Sequence, residues 1–406
     1  MSNFHHVQFI SWELYTGPCK DLAHPERSTY AGLRSDTTDH RTDVASQCRD
    51  IEARLAFIAD ALEQAHALAD PSPQTLKIFM APEFLCRGAG GAYLHDLLNG
   101  WVGAAPSNFC LSTPFDHAWP GLFGGMQRIA AQAQYADYLL VFGSAVSASF
   151  PTALSSNGRY ELDPSQPGEV YNTTLIQRGG AEHRSSCYAA RKQYVSGIDF
   201  LKWCGDALHH TNHTVVPADP ESVIPKDVLG VTEGGARFTL PSIQHADGSL
   251  IDFGIEICLD HAYSGGCRRN EFGRLRTANQ SVTIQLVPSG GMVLNPDSIR
   301  LLPEAGPTPY SYAFNCDGYT SLDFRVFGSH TQIWNGANGD EVPVENRLIE
   351  VGGGDPFPGT QLRRVATECT THFGPVLAEQ LWKSSAEAKG AGYVRVMQVM
   401  PLKPLS

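Results

Sequence analysis

Three residues of different chemistry each close a short apolar run in this chain. Glu83 follows Leu76-Lys77-Ile78-Phe79-Met80-Ala81-Pro82, Lys192 follows Cys187-Tyr188-Ala189-Ala190-Arg191, and Cys258 ends Ile251-Asp252-Phe253-Gly254-Ile255-Glu256-Ile257. Such runs read as buried strands. A strand end projects its side chain out of a rigid sheet toward the crevice where α/β folds assemble their sites. One reactive group at one strand end means little, but a carboxylate, an amine and a thiol at three such ends define a mechanism. A thiol with a pKa near ~8.5 is only slightly ionised at neutral pH, so it needs a base or a nearby cation. Glu83 can take the proton as sulfur attacks an amide or nitrile carbon. Lys192 can hold that carboxylate and donate to the oxyanion, and the backbone N–H of Leu259 is a natural second donor. One such donor is worth about 3–4 kcal/mol in the transition state. After the amine leaves, Glu83 can activate the water that cleaves the thioester.

Further candidates for support or substrate binding are Asp199, Glu256, Tyr194, Asp260 and His261. Each has a plainer reading. Cys258 can be a buried strand thiol, Glu83 a helix cap and Lys192 a surface cation. Asp199 can cap a helix, Glu256 can be a structural carboxylate paired with an arginine, and Tyr194, Asp260 and His261 can pack and anchor loops. His209, His210 and His213 are spaced to suggest a metal, but Pro217 and Pro220 stand close by. The proposed chemistry needs neither metal nor cofactor, so none is expected. The glycine-rich stretches 88–91 and 352–354 lack the Lys-Ser/Thr of a phosphate loop and read as turns.

The elements that must position these groups follow from periodicity. Strands are predicted over 6–11, 76–80, 138–143, 170–178, 186–192, 250–258, 282–288, 325–334 and 393–400. A long amphipathic helix is predicted over 44–68, from Ile51, Leu55, Ile58 and Leu62. Further helices are predicted over 124–134, near 267–278 and around 310–314. The order of strands and helices recurs in the second half, which implies two sheets covered by helices in a single domain over 1–406. Insertions over 16–43, 87–120 and 201–235 are expected to form pocket walls. Their aromatics Tyr93, Trp101, Phe109, Phe115, Trp119 and Trp203 would suit an apolar substrate.

Composition narrows the class. Hydrophobic residues at 42% and charged residues at 18% describe a folded, soluble chain. A net charge of −12 argues against a nucleic-acid partner. The ten cysteines include no CxxC pair, and no basic leader or membrane-length apolar run is present. That pattern predicts reduced thiols, a cytoplasmic location and no membrane partner.

Taken together, Ala81-Pro82-Glu83-Phe84, the stretch Arg191-Lys192-Gln193-Tyr194 through Asp199, and Phe253-Gly254-Ile255-Glu256-Ile257-Cys258-Leu259-Asp260 resemble the nitrilase superfamily of carbon–nitrogen hydrolases. Phe142-Gly143-Ser144 with Tyr171-Asn172-Thr173 resembles the strand pair before that family's lysine. Leu286-Val287-Pro288-Ser289 resembles the strand after its cysteine, and Phe327 to Ile333 with Asn338-Gly339 its late strand and turn. The resemblance runs over about 6–344, leaving 345–406 as a C-terminal extension. It implies an α/β fold, a four-layer αββα sandwich assembled as a homodimer or larger homo-oligomer, and a small-molecule amide or nitrile substrate.

Two departures leave the subfamily open. Members carry a second glutamate shortly after the lysine, where this chain offers Asp199. Glu256 is its rival, because residues i and i+2 of a strand share a face and it would lie beside Cys258. The residues after Cys258 match neither the amidase nor the nitrilase pattern. Amide hydrolysis leads; nitrile hydrolysis, carbamoyl cleavage and acyl transfer remain alternatives. A catalytically silent binding or scaffold protein on the same fold is the reading from another class.

Overall fold

The computed structural model describes residues 2–17, 44–88, 91–105, 115, 117–149, 152–154, 156, 158, 160–162, 169–194, 216–217, 233–262, 273–303, 310–318, 330–335, 348–350, 360–382 and 390–403. Asp199, Phe109, Trp203 and the three histidines 209, 210 and 213 lie outside them.

The strands that carry the first sheet are apolar on both faces. In β1 (His6–Glu13), β2 (Thr75–Met80) and β3 (Tyr138–Val141), Val7, Phe9, Leu76, Ile78, Met80, Leu139 and Val141 point one way. Ile10, Trp12, Phe79 and Leu140 point the other. This is the period of two of a strand, with both faces covered as parallel strands require. β1, β2 and β3 are parallel neighbours. On one side β5 (Glu169–Arg178) and β6 (Cys187–Arg191) continue antiparallel, with β4 (Ala145–Ser149) also paired to β5.

The second sheet repeats the plan. β7 (Phe253–Ile255), β8 (Ile284–Gly290) and β9 (Tyr312–Gly318) are parallel, and β10 (Gln332–Asn335) and β11 (Leu348–Glu350) continue antiparallel. Phe253, Ile255, Ile284, Leu286, Tyr312, Phe314, Cys316 and Ile333 meet the inward face of the first sheet in one core.

The outer layer on the first sheet is α1 (Val44–His66) with α2 (Gly121–Ala130). Ile51, Phe57, Ile58 and Leu62 of α1 and Leu122, Phe123 and Met126 of α2 are buried against it. On the second sheet the outer layer is thinner among the described residues. The single turn α3 (Arg274–Thr277) lays Leu275 over Gly254, and Leu294 and Leu301 cover Val287, Ala313 and Trp334. The architecture is a mixed α/β sandwich of two sheets between outer layers. The chain after 344 also builds this sandwich. β12 (Gln361–Arg364) and β15 (Tyr393–Val396) extend the first sheet, with β15 against β1. The hairpin β13 (Glu368–Thr371) and β14 (Gly374–Leu377) pairs between them in sequence.

Three expectations need correcting. The stretch 310–314 is not helical, because Tyr312 to Gly318 is β9. Its apolar residues lie on both faces of a buried strand, a pattern that mimics helical spacing. The helix predicted over 124–134 starts three residues earlier and stops at Ala130, followed by a short 3₁₀ turn. Tyr93, Trp101 and Phe115 are core residues under α1 and α2, with Trp119 packed against them, rather than pocket walls. Among the described residues, no helix is long and apolar enough to cross a membrane.

Candidate active site

The C-terminal ends of the parallel strands of both sheets meet at one edge, where the N–H of Glu83 donates to the carbonyl of Ser289 at 3.2 Å. β2 ends at Met80, and Pro82 and Glu83 turn out of the sheet against the end of β8. The turn is tight. Gly143, at φ 61°, packs so closely that a Cβ would stand 2.2 Å from the Pro82 carbonyl oxygen, so no other residue fits there.

Glu83 is fully buried, and its Oε1 accepts from Lys192 Nζ at 2.7 Å. The lysine is 4% exposed and follows the end of β6. A second donor to Oε1 is Asn172 Nδ2 at 3.0 Å. Asn172 lies on β5 beside the end of β6, and its carbonyl accepts the Lys192 N–H at 2.8 Å. Taking a carboxylate and an ammonium out of water costs several kcal/mol per ion, which only close pairing and further hydrogen bonds offset. Both are present here.

The segment after Glu83 is fixed from α1. Arg54, buried and paired with Asp50 at 3.0 Å, donates to the carbonyls of Leu85 at 2.5 Å and Arg87 at 3.0 Å. Tyr93 donates its hydroxyl to the same Asp50. Phe84, at φ 63°, donates its N–H to the Ser144 hydroxyl oxygen at 3.0 Å and has the Arg87 guanidinium 3.6 Å from its ring centre.

Cys258 follows β7 on the second sheet. Ile255 pairs with Leu286 on β8, β7 ends there, and Cys258 follows three residues on. Its own φ is 50°, in the left-handed region that a side-chain-bearing residue rarely adopts, and it opens the 3₁₀ turn Cys258–Asp260. Cys258 is 4% exposed at this strand-to-turn corner.

The residues on either side of Cys258 hold that corner. Asp260 is buried, and its Oδ1 accepts the N–H groups of Gln193 and Tyr194 at 2.9 Å each. The turn after the thiol is thereby tied to the turn after the lysine. Oδ2 takes Arg274 from α3 at 3.3 Å. Burial raises the Asp260 carboxyl above its usual range, against the lowering pull of Arg274 and the two N–H groups. Glu256 does not stand beside the sulfur. Strand alternation stops at Ile255, and the Glu256 carboxylate faces the outer layer. It accepts from His261 Nδ1 at 2.7 Å, Gln285 Nε2 at 2.7 Å and the Leu275 N–H at 2.8 Å. His261 Nε2 in turn accepts from the Asn295 N–H at 3.0 Å, which leaves the ring proton on Nδ1. Leu259 and Tyr194 are half-buried in the two linked turns.

Asp317, at the end of β9, holds the loop after β8. It accepts the N–H groups of Gly291 at 2.5 Å and His330 at 3.0 Å, and burial raises its carboxyl. Three other thiols are silenced by burial: Cys86 and Cys369 are pushed up to about 12, and Cys316 well above its usual value.

The structure thus brings Glu83 and Lys192 into contact and sets Cys258 at the start of the 3₁₀ turn that follows β7 on the second sheet. Asp260 links the turns, whereas Glu256 and His261 brace the corner from the outer layer. Sequence reasoning missed Asn172, Arg54, Arg274 and Asp317 as contributors. None of the four left a local signal; even Asn172 is one of several polar residues in its strand.

A two-sheet α/β sandwich with a buried carboxylate–lysine pair and a strand-end thiol defines the class of site. No protein-family model matches the chain, and no curated protein does. Among solved structures, an amidase from Nesterenkonia sp. aligns at 12% identity over 82% of this chain and 84% of its own, with a TM-score of 0.35. A variant of the Nesterenkonia sp. AN1 amidase, described as belonging to the nitrilase superfamily, aligns at 12% identity over 82% and 85%, with a TM-score of 0.34. Another variant, carrying the acetamide moiety of fluoroacetamide on its active-site cysteine, aligns at 12% identity over 82% and 84%, with a TM-score of 0.33. TM-scores of this size carry no inference about function, which rests on the geometry of this chain.

Proposed function

We propose that the chain is a thiol-dependent hydrolase of amide carbon–nitrogen bonds. Glu83 takes the Cys258 proton as sulfur adds to the carbonyl carbon. Lys192 Nζ and the Leu259 N–H stabilise the oxyanion. The C–N bond then breaks, the proton passes from Glu83 to the leaving nitrogen, and ammonia or an amine departs. Water next gives a proton to Glu83 and attacks the thioester. The C–S bond breaks, the acid leaves, and the proton returns to sulfur.

The observation that carries this reading is the buried Glu83–Lys192 contact of 2.7 Å at the edge where the Cys258 strand also ends. A burial this costly, beside a thiol in a left-handed corner, has a ready explanation in catalysis and none in packing. A substrate amide has a carbon for the sulfur, an oxygen for the lysine and a nitrogen for the returned proton. The test is ammonia or amine release from a panel of amides, nitriles and N-carbamoyl compounds, run beside Cys258→Ala. Thiol-dependent release from amides is expected. Release that survives the substitution, or none from any compound, overturns the reading.

A further inference from the structure

We infer that Asn172 is a positioning residue that decides which oxygen of Glu83 exchanges protons. The inference rests on the function proposed above. The two oxygens of Glu83 have different surroundings. Oε1 accepts both Lys192 Nζ at 2.7 Å and Asn172 Nδ2 at 3.0 Å. Oε2 points toward the end of β8, where a Cβ added to Gly290 would stand 3.3 Å from it. That is the strand beside the one that delivers Cys258.

A carboxylate held by a lysine alone can swing about that single contact. Two donors converging on the same oxygen remove this freedom. They hold Oε1 as the anchored oxygen, while Oε2 faces the end of β8 at Gly290. Asn172 suits the task because an amide donates without adding charge, so it fixes the carboxylate without competing with Lys192 for the ion pair. Its backbone is fixed independently of its side chain, through the Lys192 N–H on its carbonyl at 2.8 Å. A substitution at 172 therefore leaves the strand pairing in place and removes only the side-chain donor. A donor to the ionised form favours that form, so Asn172 also keeps Glu83 ready as a base at lower pH than Lys192 alone would.

The experiment is a pH profile of amide hydrolysis by the wild-type protein and Asn172→Leu, which keeps the shape and loses the donor, with Cys258→Ala as reference. Losing a hydrogen bond to a charged group predicts a fall of about 10- to 100-fold, carried by kcat with KM little changed. The acid limb should move up by about one pH unit. An unchanged acid limb, or a loss confined to KM, overturns the proposal. If Asn172→Leu does not fold, the side-chain amide signal of Asn172 in the wild-type protein is followed by NMR as pH falls. It should move with the midpoint of the acid limb, and a signal indifferent to that transition overturns the proposal equally. Hydrolysis that persists in Cys258→Ala strikes the functional reading instead, while the amide signal still reports whether Asn172 senses Glu83.

Discussion

The two corners of the site are held in opposite ways. At the first sheet, the reacting groups themselves are bonded: Glu83 to Lys192 and Asn172, side chain to side chain. At the second, the residues flanking the thiol add buried bonds of their own. Glu256 with His261 on one side and Asp260 with Arg274 on the other fix the backbone around Cys258. The difference follows from the chemistry. A buried carboxylate and ammonium must satisfy each other or be expelled, so their partners are inseparable from their function. A thiol need not be ionised to be buried, and the turn at Cys258, at φ 50°, sets where its side chain leaves the backbone.

The largest effect expected from this contrast is the loss of hydrolysis in Cys258→Ala, by about 10⁴-fold or more, with stability to urea changed by less than about 1 kcal/mol. A large stability loss in this variant would mean that the second corner is held by the thiol after all. Lys192→Met should hurt twice. Activity should fall by about 10²–10³-fold, and unfolding in urea should show a loss of about 3–5 kcal/mol, as when one member of a buried pair is removed. A Lys192→Met protein as stable as wild type would contradict the claim that the first corner is structural as well as catalytic. Asp260→Asn should be intermediate. It keeps one carbonyl acceptor but sets an NH₂ against donors, costing about 1–3 kcal/mol in the same urea assay and lowering hydrolysis about tenfold. Activity unchanged in that variant would uncouple the two turns.

The smallest effect lies outside both corners and serves as their control. His245 is buried, with its Nδ1 lacking a hydrogen-bond partner, and burial holds its pKa below the usual imidazole value. As pH falls through about 6.5 the unfolded chain takes up this proton before the folded one does. Its contribution to stability is therefore whole at higher pH and is lost as pH drops from there to the lowered folded value. His245→Phe should flatten the fall in urea midpoint between pH 7 and 5 relative to wild type, and an identical slope would remove His245 from the account.

How much of this was legible in the sequence follows the same division. Glu83, Lys192 and Cys258 could be read because each ends an apolar run, and a strand end announces itself in one dimension. Asn172 could be read only after its strand is paired with that of Lys192, since the two residues are 20 apart in the chain. Arg54 and Arg274 reach the site from helices on opposite outer layers, and no local pattern predicts that. Glu256 misled because alternation was carried past Ile255, where the strand ends and the backbone turns toward the left-handed Cys258. In the fold, the central strands were legible from their apolar runs. The error at 310–314 arose because a strand buried on both faces has no polar phase to mark its period.

The burial that silences Cys86, Cys316 and Cys369 has a use at the bench. A mild electrophile applied at neutral pH meets those three sulfurs in their protonated form, in which they react slowly. A tag on Cys258 would thus compete little with those three sulfurs. The same packing that builds the two cores makes the protein suited to covalent probe chemistry without first removing those three cysteines.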